Sequence, residues 1–202
     1  MKVAVVDDQG VVRAGIAALI GLEPDIEVVA QASNGSEAVD LAETMGAEID
    51  VMLLDVEMPG VDGLQALPRV REVSPHTRVL MLTTFDRPGW VSRALSLGAA
   101  GFVLKDQPAE ALAASIRAVN DGKQVVDQEL ATRTLGLGIN PLTPREIDVL
   151  RAAEAGGTTA DVARTVGLSQ GTVRNHVTSA MAKTGGSSRM DAARRARDNG
   201  WL

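Results

Sequence analysis

The sequence contains no cysteine, only two histidines and no long run of apolar residues. Without cysteine the chain forms neither disulfides nor cysteine-ligated zinc sites, and thiolate chemistry is excluded. His76 and His176 stand far apart in the sequence, so no histidine-rich metal site is indicated. The apolar runs fall far short of the about 20 residues that a membrane-spanning helix needs. Residues 1–6 lack the apolar run and cleavage site of a signal peptide, so we expect a cytoplasmic protein.

Charge is distributed unevenly along the 202 residues, which together have a net charge of −6. Residues 1–125 carry 10 Lys and Arg against 18 Asp and Glu, whereas residues 126–202 carry 10 against 8. An acidic front and a basic tail indicate two modules with different partners, although a chance fluctuation would give the same pattern. The chain as a whole, with 45% apolar and 23% charged residues, has an ordinary globular composition.

Short apolar runs alternate with longer amphipathic segments through the front of the chain. The runs are rich in Val, Leu and Met, as is typical of strands covered on both faces. They predict five strands: Lys2–Val6, Ile26–Ala32, Val51–Leu54, Arg78–Leu82 and Gly101–Leu104. A helical pattern follows each strand, and the last three are Gly63–Glu72, Pro88–Leu97 and Pro108–Asp121. The alternation predicts right-handed crossovers and an α/β doubly wound five-stranded parallel sheet.

This alternation stops after residue 122. Residues 123–140 contain a short helical pattern at Gln128–Leu135 and then two glycines, and we interpret them as a partly ordered linker. Thr143-Pro144-Arg145-Glu146 has the form of a capping box with proline at the first helical position. Helical patterns follow at 145–155, 159–166, 169–184 and 188–198. We therefore expect an α/β domain over 1–122, a linker over 123–140 and a small all-α domain over 141–202.

Polar residues stand at the carboxyl ends of four predicted strands. Asp7 and Asp8 follow the first strand, Asp55 the third, Thr83 the fourth and Lys105 the fifth. Ligands of doubly wound sheets bind beyond this edge, so we expect these side chains to converge. Two carboxylates about 5 Å apart repel by roughly 3 kcal/mol, and a hard cation such as Mg²⁺ removes that repulsion. With a lysine and a hydroxyl beside them, the carboxylates make a phosphoryl-accepting centre.

Each of these residues also has a simpler interpretation. A strand-terminal aspartate such as Asp7 or Asp8 is often the N-cap of the next helix. Lys105 is compatible with a solvated loop lysine, and Thr83 with an ordinary strand residue. The coincidence of all five residues at predicted strand ends favours one shared site.

Asp7-Asp8 and the segments LLDVEMPGVDGL, LTTF and GFVLK resemble the receiver domain of two-component response regulators. The resemblance implies that Asp55 accepts a phosphoryl group from a sensor histidine kinase. It also implies that Asp8, Asp55 and the main-chain carbonyl of Glu57 bind Mg²⁺, with Asp7 assisting through water.

The same resemblance assigns roles to three further residues. Lys105 would bind the phosphate, while Thr83 and Phe102 would rearrange together as switch residues. The sequence departs from many receivers at two positions, where Gln9 replaces a frequent His and Asp106 replaces a frequent Pro.

Residues 158–185 have the pattern of a helix, a glycine-containing turn and a second helix. Val173, Val177 and Ala180 give the second helix an apolar stripe, and Ser169 is suited to cap it. The opposite face offers hydrogen-bond donors to bases and phosphates. The candidate DNA-binding residues are Gln170, Thr172, Arg174, Asn175, Thr178 and Lys183. A structural bundle with a solvated polar face is the simpler interpretation, and the excess of basic residues favours DNA.

The segments LTPREIDVL, VGLSQGTVRNHV, AKTG and DNGWL resemble the LuxR-type output domain of the NarL/FixJ response regulators. The two resemblances cover nearly the whole chain in the order of that family. They imply a non-enzymatic transcription factor that binds promoter DNA through the helix at 169–184. Because one output module neutralises few phosphates, we predict that phosphorylation at Asp55 favours a homodimer. We expect the dimer surface either on the first and fifth helices or at the edge near Phe102.

Two other classes stay open on the sequence alone. A Mg²⁺-dependent phosphatase of the haloacid-dehalogenase type uses Asp-x-Asp after its strand, whereas this chain has Asp55-Val56-Glu57 and no large cap domain. The other class is a protein-interaction module whose helical tail binds no DNA.

Overall fold

The protein is described by a computed structural model that covers residues 1–84, 88–127, 130–131 and 140–202. It divides into two compact units, one comprising Met1–Asp86 and Val91–Ala131, the other Arg87–Trp90 and Thr132–Leu202. The helical pattern predicted at Gln128–Leu135 lies outside the described residues except for 130–131, which are helical. No helix in the described ranges combines the length and hydrophobicity needed to cross a membrane.

The first unit is built on a parallel sheet. Its described strands are β1 Lys2–Val6, β2 Glu27–Ala32, β3 Val51–Asp55, β4 Arg78–Thr83, β5 Gly101–Leu104 and β6 Val125–Val126. Its described helices are α1 Gly10–Ile20, α2 Gly35–Met45, α3 Gly63–Val73 and α5 Ala109–Asn120, together with the part of α4 Pro88–Ser96 that begins at Val91. The strand order β2-β1-β3-β4-β5-β6 confirms the predicted doubly wound α/β fold.

The prediction of five strands is wrong, because the described residues form six. β6 pairs in parallel with β5, with Val125 opposite Gly101 and Val126 opposite Phe102. Two residues are too few to give a periodic pattern, and β6 is extended because it satisfies the open edge of β5. It lies inside the segment 123–140 that the sequence indicated as a linker. The other five strands match their predicted bounds to within one residue.

The central strands are buried on both faces, which explains their continuous apolar sequences. Every residue of β3, including the terminal Asp55, is buried. Val3, Val5 and Leu53 pack in one core with Ile16 of α1 and Ile116 of α5. This packing fixes the strands, so the residues at their carboxyl ends have defined positions.

The second unit is helical over its described residues. Its main helices are α6 Pro144–Glu154, α7 Thr159–Val166, α8 Gln170–Thr184 and α9 Arg189–Asp198. The Thr143 and Glu146 capping box predicted from the sequence is present, and the Ser169 side chain caps α8. Gly167 joins α7 to α8 at a φ of 66°, in the left-handed region that favours glycine.

Candidate functional site

Three carboxylates meet at the carboxyl edge of the sheet. Asp7 directly follows β1 and is buried, Asp8 is exposed, and Asp55 is the last residue of β3. One carboxylate oxygen from each lies within 4.8 Å of the others. This cluster offers only oxygen donors, which is the set that Mg²⁺ prefers. The cluster therefore has the chemistry of a site for a hard divalent cation.

Lys105, just beyond β5, joins two of these carboxylates. Its Nζ lies 2.7 Å from Asp7 Oδ2 and 2.9 Å from Asp55 Oδ2, and its side chain is only 5% exposed. Among the described residues, these two oxygens have no other hydrogen-bond donor. One ammonium against three carboxylates leaves the cluster negative, so a cation and the lysine can be accommodated together.

The second carboxylate oxygens of Asp7 and Asp55 accept hydrogen bonds from the main chain. Gln9 N donates to Asp7 Oδ1 at 2.9 Å, and Glu57 N donates to Asp55 Oδ1 at 3.3 Å. Burial raises the pKa of Asp55 to about 6 and the charge of Asp7 adds to the rise, while Lys105 opposes it. A divalent cation beside the carboxylate favours its charged form, which is the nucleophilic one.

The other predicted residues of this site lie on or just beyond β3, β4 and β5. Thr83 is the last residue of β4 and is buried, and Phe102 is fully buried within β5. Glu57 lies two residues beyond Asp55 and is half-buried. The roles of Thr83 and Phe102 as switch residues, and of the Glu57 carbonyl as a metal ligand, stay predictions.

The candidate DNA-binding surface belongs to α8. Gln170, Arg174, Asn175 and Thr178 are exposed, whereas Val173 and Ala180 are buried, as the apolar stripe indicated. Thr172 is half-buried, and its hydroxyl lies 2.8 Å from the Ser169 hydroxyl. A cavity of about 490 Å³ borders this surface, with Arg174, Thr178 and Arg189 in its lining.

Lys183, the sixth candidate for DNA contact, is engaged inside the unit. Its Nζ lies 2.7 Å from Glu146 Oε2, and the Ser179 hydroxyl donates to Glu146 Oε1 at 2.6 Å. A DNA contact by Lys183 stays a prediction, and it would have to compete with this ion pair.

Sequence reasoning missed two contributors. Glu146 was expected only to cap α6, yet it also binds α8 at Lys183, 37 residues away. Arg13 of α1 donates from Nη1 to the main-chain oxygen of Asp7 at 2.5 Å. The one available signal for Arg13 was its place one turn into the helix that follows the aspartate pair.

Two protein-family models match the parts of the chain that carry the acidic cluster and the helix α8. The model of the response regulator receiver domain matches residues 3–117, and that of the bacterial regulatory proteins of the luxR family matches residues 140–196. The chain is a LuxR-family response regulator. The match confirms the family indicated by the sequence motifs, with a receiver followed by a LuxR-type domain.

Relatives of this response regulator span nearly its whole length. It is 35% identical over 202 residues to the transcriptional regulatory protein DesR of Bacillus subtilis, covering 100% of this chain and 99% of DesR. It is 34% identical over 201 residues to the nitrate/nitrite response regulator protein NarL of Escherichia coli K12, covering 95% and 92%. A solved structure of two RcsB dimers bound to two parallel DNAs has a TM-score of 0.73 over 98% of both chains. At 24% identity, that likeness shows the fold alone.

Proposed function

We propose that this response regulator accepts a phosphoryl group on Asp55 from a sensor histidine kinase, with Mg²⁺ as cofactor, and then binds promoter DNA as a homodimer. The observation that supports this most directly is the meeting of Asp7, Asp8 and Asp55 within 4.8 Å, with Lys105 Nζ 2.9 Å from Asp55. We assign the receiver to residues 1–122, the linker to 123–140 and the DNA-binding domain to 141–202.

In the proposed transfer, a carboxylate oxygen of Asp55 attacks the phosphorus of the kinase phosphohistidine. The new O–P bond forms as the N–P bond breaks, and the electron pair of that bond returns to the imidazole. Lys105 neutralises charge on the phosphoryl oxygens, and the Thr83 hydroxyl donates a hydrogen bond to one of them.

Asp8, Asp55 and the Glu57 carbonyl would hold Mg²⁺, with Asp7 assisting through water. The bound ion supplies charge neutralisation and orientation of the phosphoryl oxygens. We propose that the product is a phosphorylated regulator and not a turned-over substrate, so the chain is not an enzyme. Stoichiometric labelling without continued release of phosphate from small esters distinguishes this from a phosphatase.

The proposed output is sequence-specific contact of α8 with the major groove. Arg174 suits guanine and the neighbouring Asn175 suits adenine, because each presents a matching bidentate pattern. The remaining candidates, Gln170, Thr172, Thr178 and Lys183, would contact bases or phosphates. Promoter DNA lies in the bacterial cytoplasm, so we propose that the protein acts there.

A dimer is proposed because one output domain neutralises few phosphates, and a second one raises affinity through effective concentration. Val11 and Leu19 of α1 and Leu22 just beyond it are exposed apolar side chains. Arg117 of α5 forms ion pairs with Glu23 and Asp25, which connects α5 to the segment after α1. The exposed apolar side chains support α1, with α5 beside it, over the edge near Phe102 as the dimer surface.

The test uses Asp55→Asn with Asp40→Asn, an exposed aspartate of α2, as the matched control. With acetyl phosphate and Mg²⁺, wild type and control should gain one acid-stable, base-labile label and bind promoter DNA more tightly. Asp55→Asn should remain unlabelled and unchanged in DNA affinity, because an amide is not a nucleophile. Labelling of Asp55→Asn at the wild-type level would refute the assignment of Asp55.

A further inference from the structure

We propose that Arg13 is a positioning residue of the phosphoryl-accepting site, holding Asp7 and Asp8 in the arrangement that binds the divalent cation. The inference rests on the proposed function. It adds a residue to that site that lies outside the acidic cluster, in the first turns of α1.

The carbonyl that Arg13 binds belongs to the peptide bond that joins Asp7 to Asp8. Arg13 Nη1 donates to this oxygen at 2.5 Å, and the contact is partly buried. Fixing this peptide plane fixes the direction in which Asp8 leaves the sheet, since only φ and ψ are free on either side. The hydrogen bond therefore acts on two of the three clustered carboxylates at once.

Two other hydrogen bonds are made by the segment that follows β1, but neither involves the carbonyl between Asp7 and Asp8. Asp7 N donates to Ala32 O at 3.2 Å, which continues the pairing of β1 with β2. Gln9 N donates to Asp7 Oδ1 at 2.9 Å, which orients the Asp7 side chain. Neither bond restrains the carbonyl between Asp7 and Asp8, so that restraint comes from Arg13.

Over the described ranges, the helix α1 begins without a side-chain cap, which leaves room for Arg13 to hold the chain that enters it. Gln9, the residue before the helix, makes no side-chain capping hydrogen bond within the described part of the chain. The Arg13 side chain runs back toward the helix start, and its Nη2 lies 3.8 Å from where a Cβ on Gly10 would stand. The guanidinium thus connects the first turns of α1 to the end of β1 where an ordinary cap is missing.

The positive charge of Arg13 has an opposing effect, because it repels a bound cation. Arg13 is partly exposed, so solvent screens that repulsion, whereas the hydrogen bond is short and directed. The pKa of Glu37 is lowered first by the Ser33 N–H and least by the charge of Arg13, so the Glu37 carboxylate balances a small part of that charge. Mg²⁺ demands near-ideal octahedral geometry, and we conclude that positioning outweighs repulsion.

The experiment titrates the full chain with Mg²⁺ alone by calorimetry, without a phosphoryl donor. Arg13→Ala should raise the Kd for Mg²⁺ by about tenfold, in the range seen when residues that orient metal ligands are removed. Arg13→Lys keeps a cationic donor on a side chain one bond shorter, and it should stay within about threefold of wild type. The control is Arg69→Ala on α3, where only an exposed ion pair to Glu72 at 3.7 Å is lost, and it should bind as wild type.

A second measurement separates positioning from a general loss of structure. Labelling of Arg13→Ala by acetyl phosphate should need about tenfold more Mg²⁺ than labelling of wild type and should rise as Mg²⁺ is added, because Asp55 and Lys105 are intact. If Arg13→Ala does not fold, Arg13→Gln, too short to reach the carbonyl, replaces it with the same expected result.

Mg²⁺ binding by Arg13→Ala that equals or exceeds wild type would overturn the inference, since repulsion would then be the larger effect. Equal weakening in Arg13→Lys would overturn it too, because the hydrogen bond would not be the cause. If the wild type binds no Mg²⁺ and accepts no label, the proposed function fails together with this inference. If wild type and Arg13→Ala both bind Mg²⁺ with the same Kd and both accept label, the inference about Arg13 fails and the proposed function stands.

Discussion

At the scale of single residues, Glu146 shows how one carboxylate stabilises a small helical unit. It closes the capping box of α6 and accepts hydrogen bonds from Ser179 and Lys183 of α8. Burial alone would raise its pKa, but the hydrogen bonds from Lys183, Ser179 and Thr143 outweigh burial and hold the pKa at about 2. The ionised form is therefore the one that the fold stabilises.

Glu146→Gln should lower the free energy of unfolding of the second unit by about 2–3 kcal/mol at neutral pH. The stability that ionised Glu146 contributes is fully present above the ordinary glutamate pKa of 4.5. It is lost as the pH falls toward about 2, because folding lowers the pKa of this residue. Urea unfolding at a series of pH values measures it. Asp161 and Asp191 also have lowered pKa values, so the informative quantity is the difference between wild type and variant. A difference that does not shrink on acidification contradicts the prediction.

Lys105 is a buried cation that pairs with two carboxylates, so its removal leaves both carboxylates without an ion-pair partner among the described residues. Lys105→Met should destabilise the first unit by about 3 kcal/mol, because Asp7 and Asp55 lose their buried cation. Excess Mg²⁺ should restore more stability to the variant than it adds to wild type, since it relieves the same repulsion. Thermal unfolding with and without Mg²⁺ tests this, with Lys123→Met, an exposed lysine, as control. An equal Mg²⁺ effect in both proteins would count against it.

At the scale of elements, the turn between α7 and α8 depends on one backbone conformation. Gly167 has a φ of 66°, and open space of at least 4 Å surrounds the point where a Cβ would stand, so only the backbone resists a side chain there. Gly167→Ala should cost about 1 kcal/mol. Gly171→Ala, inside the first turn of α8, should instead gain up to about 0.5 kcal/mol. Calorimetry of the second unit's transition compares them, and effects of the same sign would refute the argument.

The elements also show which parts of the architecture were predictable. The five longer strands follow from local patterns, because strands covered on both faces are mostly apolar, and the first polar residues beyond those runs mark the carboxyl ends. β6 was missed since its two residues take their conformation from β5. Arg13 and the pairing of Lys183 with Glu146 were missed for a related reason. Each is set by a contact between elements, which no local periodicity records.

At the scale of the whole molecule, the exposed side chains of Leu19 on α1 and Leu22 just beyond it allow a test of dimerisation. Leu19→Glu combined with Leu22→Glu should still accept label from acetyl phosphate, because neither residue belongs to the acidic cluster. The double variant should sediment as a monomer and bind a two-half-site DNA at least about tenfold more weakly than labelled wild type. Ser36→Glu on α2, which adds the same charge at an exposed position, is the control. A labelled double variant that still dimerises would exclude this face.

The short strand β6 has a mechanical consequence for the chain that leaves the sheet. Val125 N donates to Ala100 O and Asp127 N donates to Phe102 O, both at 3.1 Å, so these residues are bonded along β5 itself. A displacement of β5 would therefore be passed through these two hydrogen bonds to residues 125–127. The chain therefore leaves the sheet from residues that are bonded to the strand carrying Phe102, and not directly from the end of α5.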